Sequence, residues 1–112
     1  MPQSATHARI VLTTAANREE ADRIAHALVE EHLAACATIV PGVESVYQWQ
    51  GRIESSSEFL LLLKTTEERV TALKARLHRL HSYEIPEFLV LTVESGSAAY
   101  LAWLKASTVE GQ

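Results

Sequence analysis

Residues 36–64 read CATIVPGVESVYQWQGRIESSSEFLLLLK, and this stretch decides the fold. Two segments within it, 36–50 and 52–64, contain stretches in which apolar and polar residues alternate and stretches that are continuously apolar. Both patterns are typical of strands. Gln50-Gly51 between them predicts a tight turn, and Pro41-Gly42 predicts a bend in the first strand. We therefore predict a long central β-hairpin.

The segment before the hairpin predicts a strand followed by a helix. Ile10-Val11-Leu12 is a short, β-branched apolar run and indicates a buried strand. Asn17, with Glu20 three residues later, is typical of a helix N-cap. The residues that follow repeat with helical spacing and form one apolar face, made of Ala21, Ile24, Ala25, Leu28 and His32. We expect this face to pack on the sheet.

The segment after the hairpin predicts a second helix, a strand and a short final helix. Thr65 with Glu68 predicts a capping box that opens a helix over 66–80. The apolar face of this helix consists of Val70, Leu73, Leu77 and Leu80. Residues 88–93 predict a final buried strand, and Ser97 is placed to cap a last helix. That helix presents Tyr100, Trp103 and Leu104 on one face.

The resulting order, β-α-β-β-α-β with a C-terminal helix, predicts an α+β protein with a ferredoxin-like sandwich. A length of 112 residues suits one domain, 1–112, in which we expect residues 1–7 to be a flexible tail. No apolar run reaches the roughly 18 residues needed to cross a bilayer.

Composition narrows the class of protein further. The chain has 10 Lys and Arg against 14 Asp and Glu. This acidic balance argues against a nucleic-acid or anionic-membrane partner, since both attract basic clusters. An RNA-binding domain of the same element order stacks bases on aromatic residues of its central strands, and the runs 10–12 and 60–63 contain none. The single cysteine, Cys36, and the polar start of the chain predict a cytoplasmic protein.

The hairpin is too long for one subunit to cover. At about 3.3 Å per residue, segment 36–50 extends for ~45–50 Å, whereas a compact domain of this size is about 35 Å across. A tip that carries Tyr47 and Trp49 should therefore overhang, and a second copy of the chain is its simplest cover. The alternative is a short, twisted tip whose aromatic residues fold back on the C-terminal helix.

Several stretches resemble the CutA family of divalent-cation tolerance proteins, in order and at the family's spacing. They are LAACATIVPGV (33–43), YQWQGRIE (47–54), LKTT (63–66), HSYEIPE (81–87) and YLAWL (100–104). The resemblance implies a ferredoxin-like subunit that forms a homotrimer through the hairpin. It also implies a link to tolerance of divalent metals, copper in particular. It carries no catalytic reaction, so we predict that the protein is not an enzyme.

Two departures from the family pattern bear on metal binding. The family's usual proline is Ser82 here, which predicts a looser turn. Copper-associated members carry a cysteine and a second histidine where this chain has Thr13 and Leu80, so only His81 remains of that set.

The connector 81–87 carries the candidate metal ligands. His81 and Glu84 offer an imidazole nitrogen and a carboxylate, donor types that suit Cu²⁺ and Zn²⁺. We therefore predict weak surface binding of copper or another divalent cation there. Cys36 also offers a soft thiolate, but its place at the start of a buried strand favours an inert structural role.

A candidate ligand pocket at a subunit boundary draws on Lys64, Glu58, Tyr83, Glu87 and Trp49. Lys64 either binds an anionic ligand or extends to solvent, and Glu58 could pair with it or with Arg52. Trp49 also suits a simple interface anchor. Such a pocket leaves two other functions open. One is a regulator that binds small effectors, as the similarly built PII-type trimers do, and the other is a small enzyme with an inter-subunit site.

Overall fold

The computed structural model describes residues 6–109. Its elements are β1 (Ala8–Ala15), α1 (Arg18–Glu30), β2 (Cys36–Trp49), β3 (Arg52–Thr66), a 3₁₀ turn (Glu67–Arg69), α2 (Val70–Leu80), β4 (Leu89–Thr92) and α3 (Ala98–Ala106). The strands form one sheet in the order β2-β3-β1-β4, and each neighbouring pair is antiparallel. This confirms the predicted ferredoxin-like fold. No helix in this range is long and apolar enough to span a membrane.

The predicted flexible tail, residues 1–7, falls mostly outside the described residues. Its last two residues are tied to the end of the sheet. The N–H of Thr6 donates to the carbonyl of Val93 at 3.2 Å, and the N–H of Glu67 donates to the carbonyl of His7 at 2.8 Å. Thr6 and His7 therefore form part of the folded domain.

The core lies between one face of the sheet and the two long helices. The N-cap of α1 is confirmed, because the Asn17 side chain accepts a hydrogen bond from the N–H of Glu20 at 2.9 Å. The apolar faces predicted for α1 and α2 meet the sheet here. The fully buried side chains of this layer include Val11, Ile24, Leu28, Leu61, Leu63, Leu73 and Leu77. His32, which was also predicted on this face, lies beyond the end of α1 and is only half-buried.

The opposite face of the sheet is left largely open by the helices. Directly paired residues on neighbouring strands point to the same face, so the cross-strand row Leu62, Leu12 and Leu89 lies opposite the buried row that contains Val11. Helix α3 covers only one end of this open face, where Leu104 packs against Ala8.

The hairpin extends beyond the body of the domain, as predicted. A bulge between Val40 and Val43 bends β2, with Gly42 at a φ of 71°. Gln50 and Gly51 both have positive φ, the geometry of a type I′ hairpin turn. The Cα radius of gyration is 15.0 Å, compared with about 13 Å for a compact domain of this length. Tyr47 and Trp49 are 44% and 45% exposed at the overhang.

The predicted start of the second helix is wrong. Thr65 does not cap a helix but lies in β3, where its hydroxyl donates to the carbonyl of Leu33 at 2.7 Å. A 3₁₀ turn follows β3, and α2 begins only at Val70. Threonine fits both a cap and a buried strand, and here the hydrogen bond to a distant carbonyl decides between them.

The predicted burial of the final strand is also wrong for the single chain. Leu89, Val90 and Leu91 are 54%, 41% and 47% exposed, because β4 is an edge strand that pairs only with β1. On α3, whose predicted Ser97 cap is confirmed, Tyr100 and Trp103 are exposed and only Leu104 is buried. An apolar strand on an open edge is a site where another chain can pair.

We predict that Thr13→Val stabilises the domain. The Thr13 hydroxyl is buried in the core and has no hydrogen-bond partner among the described residues. An unsatisfied buried hydroxyl costs about 1–3 kcal/mol, and valine has nearly the same shape. We expect the free energy of unfolding in urea to rise by about 1 kcal/mol. Thr65→Val, which loses the bond to Leu33, is the matched control and should lower it. A Thr13→Val protein less stable than the wild type would contradict the assignment.

Candidate functional site

His81 locks the connector between α2 and β4 onto the end of β1. Its side chain is fully buried. Nε2 lies 2.6 Å from the carbonyl oxygen of Thr14, so this nitrogen carries the proton and donates. Nδ1 accepts a hydrogen bond from the N–H of Tyr83 at 3.1 Å. Both ring nitrogens are therefore engaged, and the imidazole is held as the neutral Nε2–H tautomer.

This geometry does not favour metal binding by His81. A metal ligand needs a free nitrogen lone pair, and in this arrangement the only lone pair, on Nδ1, accepts the N–H of Tyr83. Glu84 is exposed. Binding of a metal by His81 and Glu84 thus stays a prediction, and it would require the connector to rearrange.

Glu20 is the second anchor of the connector, and sequence reasoning recognised it only as a partner in a helix cap. Its side chain is 4% exposed. One oxygen accepts the N–H of Ala16 at 3.2 Å, and the other accepts the N–H of Ser82 at 2.7 Å. Burial by itself raises the pKa of this carboxyl, but the hydrogen bonds from Ser82 and Ala16 outweigh it and hold the pKa below its usual value.

Ser82 anchors the turn that the sequence predicted to be looser than in the family, and that looseness stays a prediction. Ser82 donates its backbone N–H to the Glu20 carboxylate, and its side chain contributes a second hydrogen bond that lowers the pKa of Glu20. A proline at this position has no N–H to donate. This chain therefore fixes the turn by hydrogen bonds to a buried charge where the family pattern has a rigid ring.

Tyr83 and Glu58 are the two predicted pocket residues that the fold brings together. The Tyr83 hydroxyl donates to Oε2 of Glu58 at 2.6 Å, and Glu58 is only 6% exposed. Burial and the contact with Glu58 raise the pKa of the Tyr83 phenol above its usual value, so it remains a protonated donor. The hydrogen bond joins the connector to the base of the hairpin.

The other predicted pocket residues lie apart in a single chain. Lys64 is six residues from Glu58 along β3, about 20 Å, and its ammonium group donates to the Thr38 hydroxyl at 3.1 Å and lies 3.9 Å from the Cys36 sulfur. Pairing of Lys64 with Glu58 within one chain is thus excluded. Trp49 is at the hairpin tip, about 20 Å from Glu58 in the other direction. Glu87 is exposed on the connector.

A different group of side chains has the composition of a metal site. His7, Glu67 and Glu68 place one ligand atom each within 4.8 Å of one another, and all three are exposed. His7 Nδ1 lies 3.4 Å from Glu68, while Arg9 pairs with Glu67 at 3.3 Å. The sequence signal was weak, because His7 and the two glutamates are sixty residues apart and meet only through the bond between the His7 carbonyl and Glu67.

Comparison with known proteins yields consistent matches. The family described as CutA1 divalent ion tolerance protein matches residues 9–107. The divalent-cation tolerance protein CutA of Thermus thermophilus is 48% identical over 99 residues, which cover 88% of this chain and 96% of that protein. The Escherichia coli protein of the same name is 43% identical over 104 residues, 93% of both. The chloroplastic CutA of Arabidopsis thaliana is 44% identical, but the chain spans only 54% of its length.

Solved structures agree with the sequence matches. The crystal structure of CutA1 from Oryza sativa superimposes with a TM-score of 0.91 at 39% identity. The superposition covers 97% of this chain and 100% of the Oryza sativa chain. The Thermus thermophilus structure gives a TM-score of 0.89 at 46% identity, with 91% and 99% covered. The overhanging hairpin and the connector therefore belong to a fold shared with these proteins.

We predict that Ser82→Pro destabilises this domain. The change deletes the N–H that Glu20 accepts and leaves a buried carboxylate with fewer donors, which costs about 1–3 kcal/mol. Reduced freedom of the unfolded chain returns only about 0.4–1 kcal/mol. Urea denaturation should show a net loss of stability. Ser82→Ala keeps the N–H and is the matched control, with a smaller loss. A proline variant as stable as the wild type would show that the backbone bond contributes little.

Proposed function

The chain belongs to the CutA1 divalent ion tolerance family, and we propose that it takes part in tolerance of divalent metal ions as a homotrimer that binds such ions weakly. Relatives 43–48% identical over most of the chain carry the name divalent-cation tolerance protein. The name describes tolerance and not a reaction, which supports a non-enzymatic protein. A cytoplasmic location stays a prediction from the sequence.

The exposed apolar edge and face of the sheet carry the proposal of an oligomer. Leu89 and Leu91 of β4 are about half exposed, and the row of Leu12 and Leu62 continues onto the same open face. The hairpin tip adds Tyr47 and Trp49. Monomeric proteins rarely leave such a contiguous apolar surface uncovered, so we infer that other copies of the chain bury it.

The arrangement of the sheet edges supports a ring of subunits. The two free edges are different strands, β2 on one side and β4 on the other. Contact between two different surfaces is heterologous, and repeated heterologous contacts close into a ring when the rotation allows. Three copies form such a ring, in which the overhang of each subunit lies against the next. The predicted ligand pocket of Lys64, Glu58, Tyr83, Glu87 and Trp49 then assembles from neighbouring chains.

The metal chemistry fits the His7 group better than His81. An imidazole nitrogen with two carboxylates is a donor set that suits Cu²⁺ or Zn²⁺, whereas the His81 ring has both nitrogens in hydrogen bonds. The exposure of the three ligands to solvent and competition from Arg9 for Glu67 favour weak binding. Copper is the divalent ion that we propose, since it binds nitrogen and oxygen ligands most tightly in the first transition series.

We predict a trimer mass at micromolar concentration by light scattering, and a weaker trimer after Trp49→Ala. Removal of a central aromatic anchor typically costs 2 kcal/mol or more, about a thirtyfold change in an equilibrium constant. Val29→Ala, at an exposed apolar residue of α1 in the helical layer, is the control and should leave the trimer unchanged. A monomer mass for the wild type would refute the assembly, and equal stability of the Trp49 variant would place that residue outside the interface.

Titration of the metal-free protein with Cu²⁺ in a calorimeter tests the metal site. We expect weak binding that His7→Ala reduces about tenfold or more, because the imidazole is the strongest donor of the group. His26→Ala, an exposed histidine of α1, is the control and should bind as the wild type does. Affinity lost with His81→Ala and retained with His7→Ala would move the site to the connector. If the titration gives no heat and the protein does not compete with a copper chelator, metal binding is refuted.

A further inference from the structure

Glu58 is a buried carboxylate with no cation beside it in its own chain. It is 6% exposed and makes one hydrogen bond, from the hydroxyl of Tyr83 to Oε2. Among the described residues, 6–109, none forms a hydrogen bond with Oε1 of Glu58, and none forms an ion pair with either of its carboxylate oxygens. A neutral phenol cannot balance a negative charge, and a buried carboxylate without a positive partner is costly. Within that range Oε1 has no protein partner and still reaches solvent, so the site is open to a cation from another copy of the chain.

Most arginines of the chain are already engaged. Arg9, Arg18, Arg23 and Arg76 pair with acidic side chains, and Arg69 donates to the His32 carbonyl. In the described part of the chain this leaves Arg52 and Arg79 without a recorded partner. Arg79 lies on the exposed side of α2 in the helical layer, while Arg52 lies beside Trp49 at the overhanging tip. Arg52 is thus the arginine placed to meet another subunit.

Arg52 cannot reach Glu58 of its own chain. The two residues lie six positions apart on the extended strand β3, about 20 Å, and an arginine side chain covers only a fraction of that distance. In a head-to-tail ring the tip of one subunit lies against the body of the next, and Glu58 sits at the base of the hairpin, where that body begins. Only a contact between copies of the chain can therefore bring these two charges together.

We propose that the Arg52 guanidinium of one copy completes the Glu58–Tyr83 site of the next. This inference rests on the proposed trimer and specifies what its subunits share. Guanidinium suits the site, because its planar donors bond a carboxylate in a defined geometry and stack on aromatic rings such as Tyr83. The pair sets the register of the hairpin on its neighbour, while the apolar surface of the sheet supplies the affinity.

A double-mutant cycle on the assembly tests the pair. Trimer dissociation is followed by light scattering as the protein is diluted. Enough urea is added that half of the wild-type trimer dissociates at a micromolar protein concentration, which we call the midpoint concentration. Arg52→Gln should raise the midpoint concentration at least about thirtyfold, since it leaves Glu58 buried and unpaired. Glu58→Gln should also weaken the trimer, and the double variant should be no weaker than Glu58→Gln alone. Arg79→Gln is the matched control and should have no effect.

Chemical crosslinking measures the proximity directly, at a protein concentration at which light scattering shows the double-cysteine variant to be trimeric. Arg52→Cys combined with Glu58→Cys, in a Cys36→Ser background, should give covalent trimers with a short bismaleimide, whereas each single variant should remain uncrosslinked. The residues are too far apart within one chain for such a reagent.

The outcomes separate this inference from the proposed assembly. A wild-type monomer would remove the trimer and the pair together. A wild-type trimer with additive effects in the cycle and no crosslinking would overturn the pair and leave the trimer standing. Loss of assembly with Glu58→Gln and not with Arg52→Gln would mean that a different cation, from the solution or from another residue, balances Glu58.

Discussion

Four antiparallel strands have two faces, and the two long helices of this chain cover only one of them. The short helix α3 reaches just one end of the other face, where Leu104 packs on Ala8. The remaining apolar row, which includes Leu12 and Leu62, and the edge strand β4 are left for something outside the chain to cover. The overhanging hairpin increases this surface and explains why the domain is more extended than its length requires.

A second constraint acts at the end of the sheet, where the connector must be held without regular secondary structure. Two buried side chains from distant parts of the chain do this: Glu20 accepts the N–H of Ser82, and His81 bridges Thr14 and Tyr83. Their hydrogen bonds place Tyr83 against Glu58. The connector is thus fixed by polar groups that hydrogen-bond one another, which makes its geometry specific. Because both nitrogens of His81 are used in these bonds, the histidine is unsuited to bind a metal in this conformation.

These two constraints converge on the boundary that we propose between subunits. The base of the hairpin carries a half-satisfied carboxylate, and the tip carries an arginine, a tryptophan and a tyrosine with no cover of their own. In a head-to-tail ring each tip meets a neighbouring base, so the apolar contact and the charge contact reinforce each other. The cluster of His7, Glu67 and Glu68, where we propose metal binding, lies by contrast at the end of the sheet where β1 begins and β3 ends. It is away from the hairpin tip, so assembly and ion binding can vary independently.

Sequence by itself determined the element order, the long hairpin with its bend and turn, and the buried faces of α1 and α2, because periodicity and turn residues act over a few neighbouring positions. It misjudged Thr65 and the burial of β4, and it did not reveal that Ser82 binds the Glu20 carboxylate. Only the tertiary structure decided these points, since each depends on residues distant in sequence: the Leu33 carbonyl for Thr65, the Glu20 carboxylate for Ser82, and the position of β4 at the sheet edge. Local patterns fix what a segment becomes, whereas hydrogen bonds across the fold fix which groups remain free to bind.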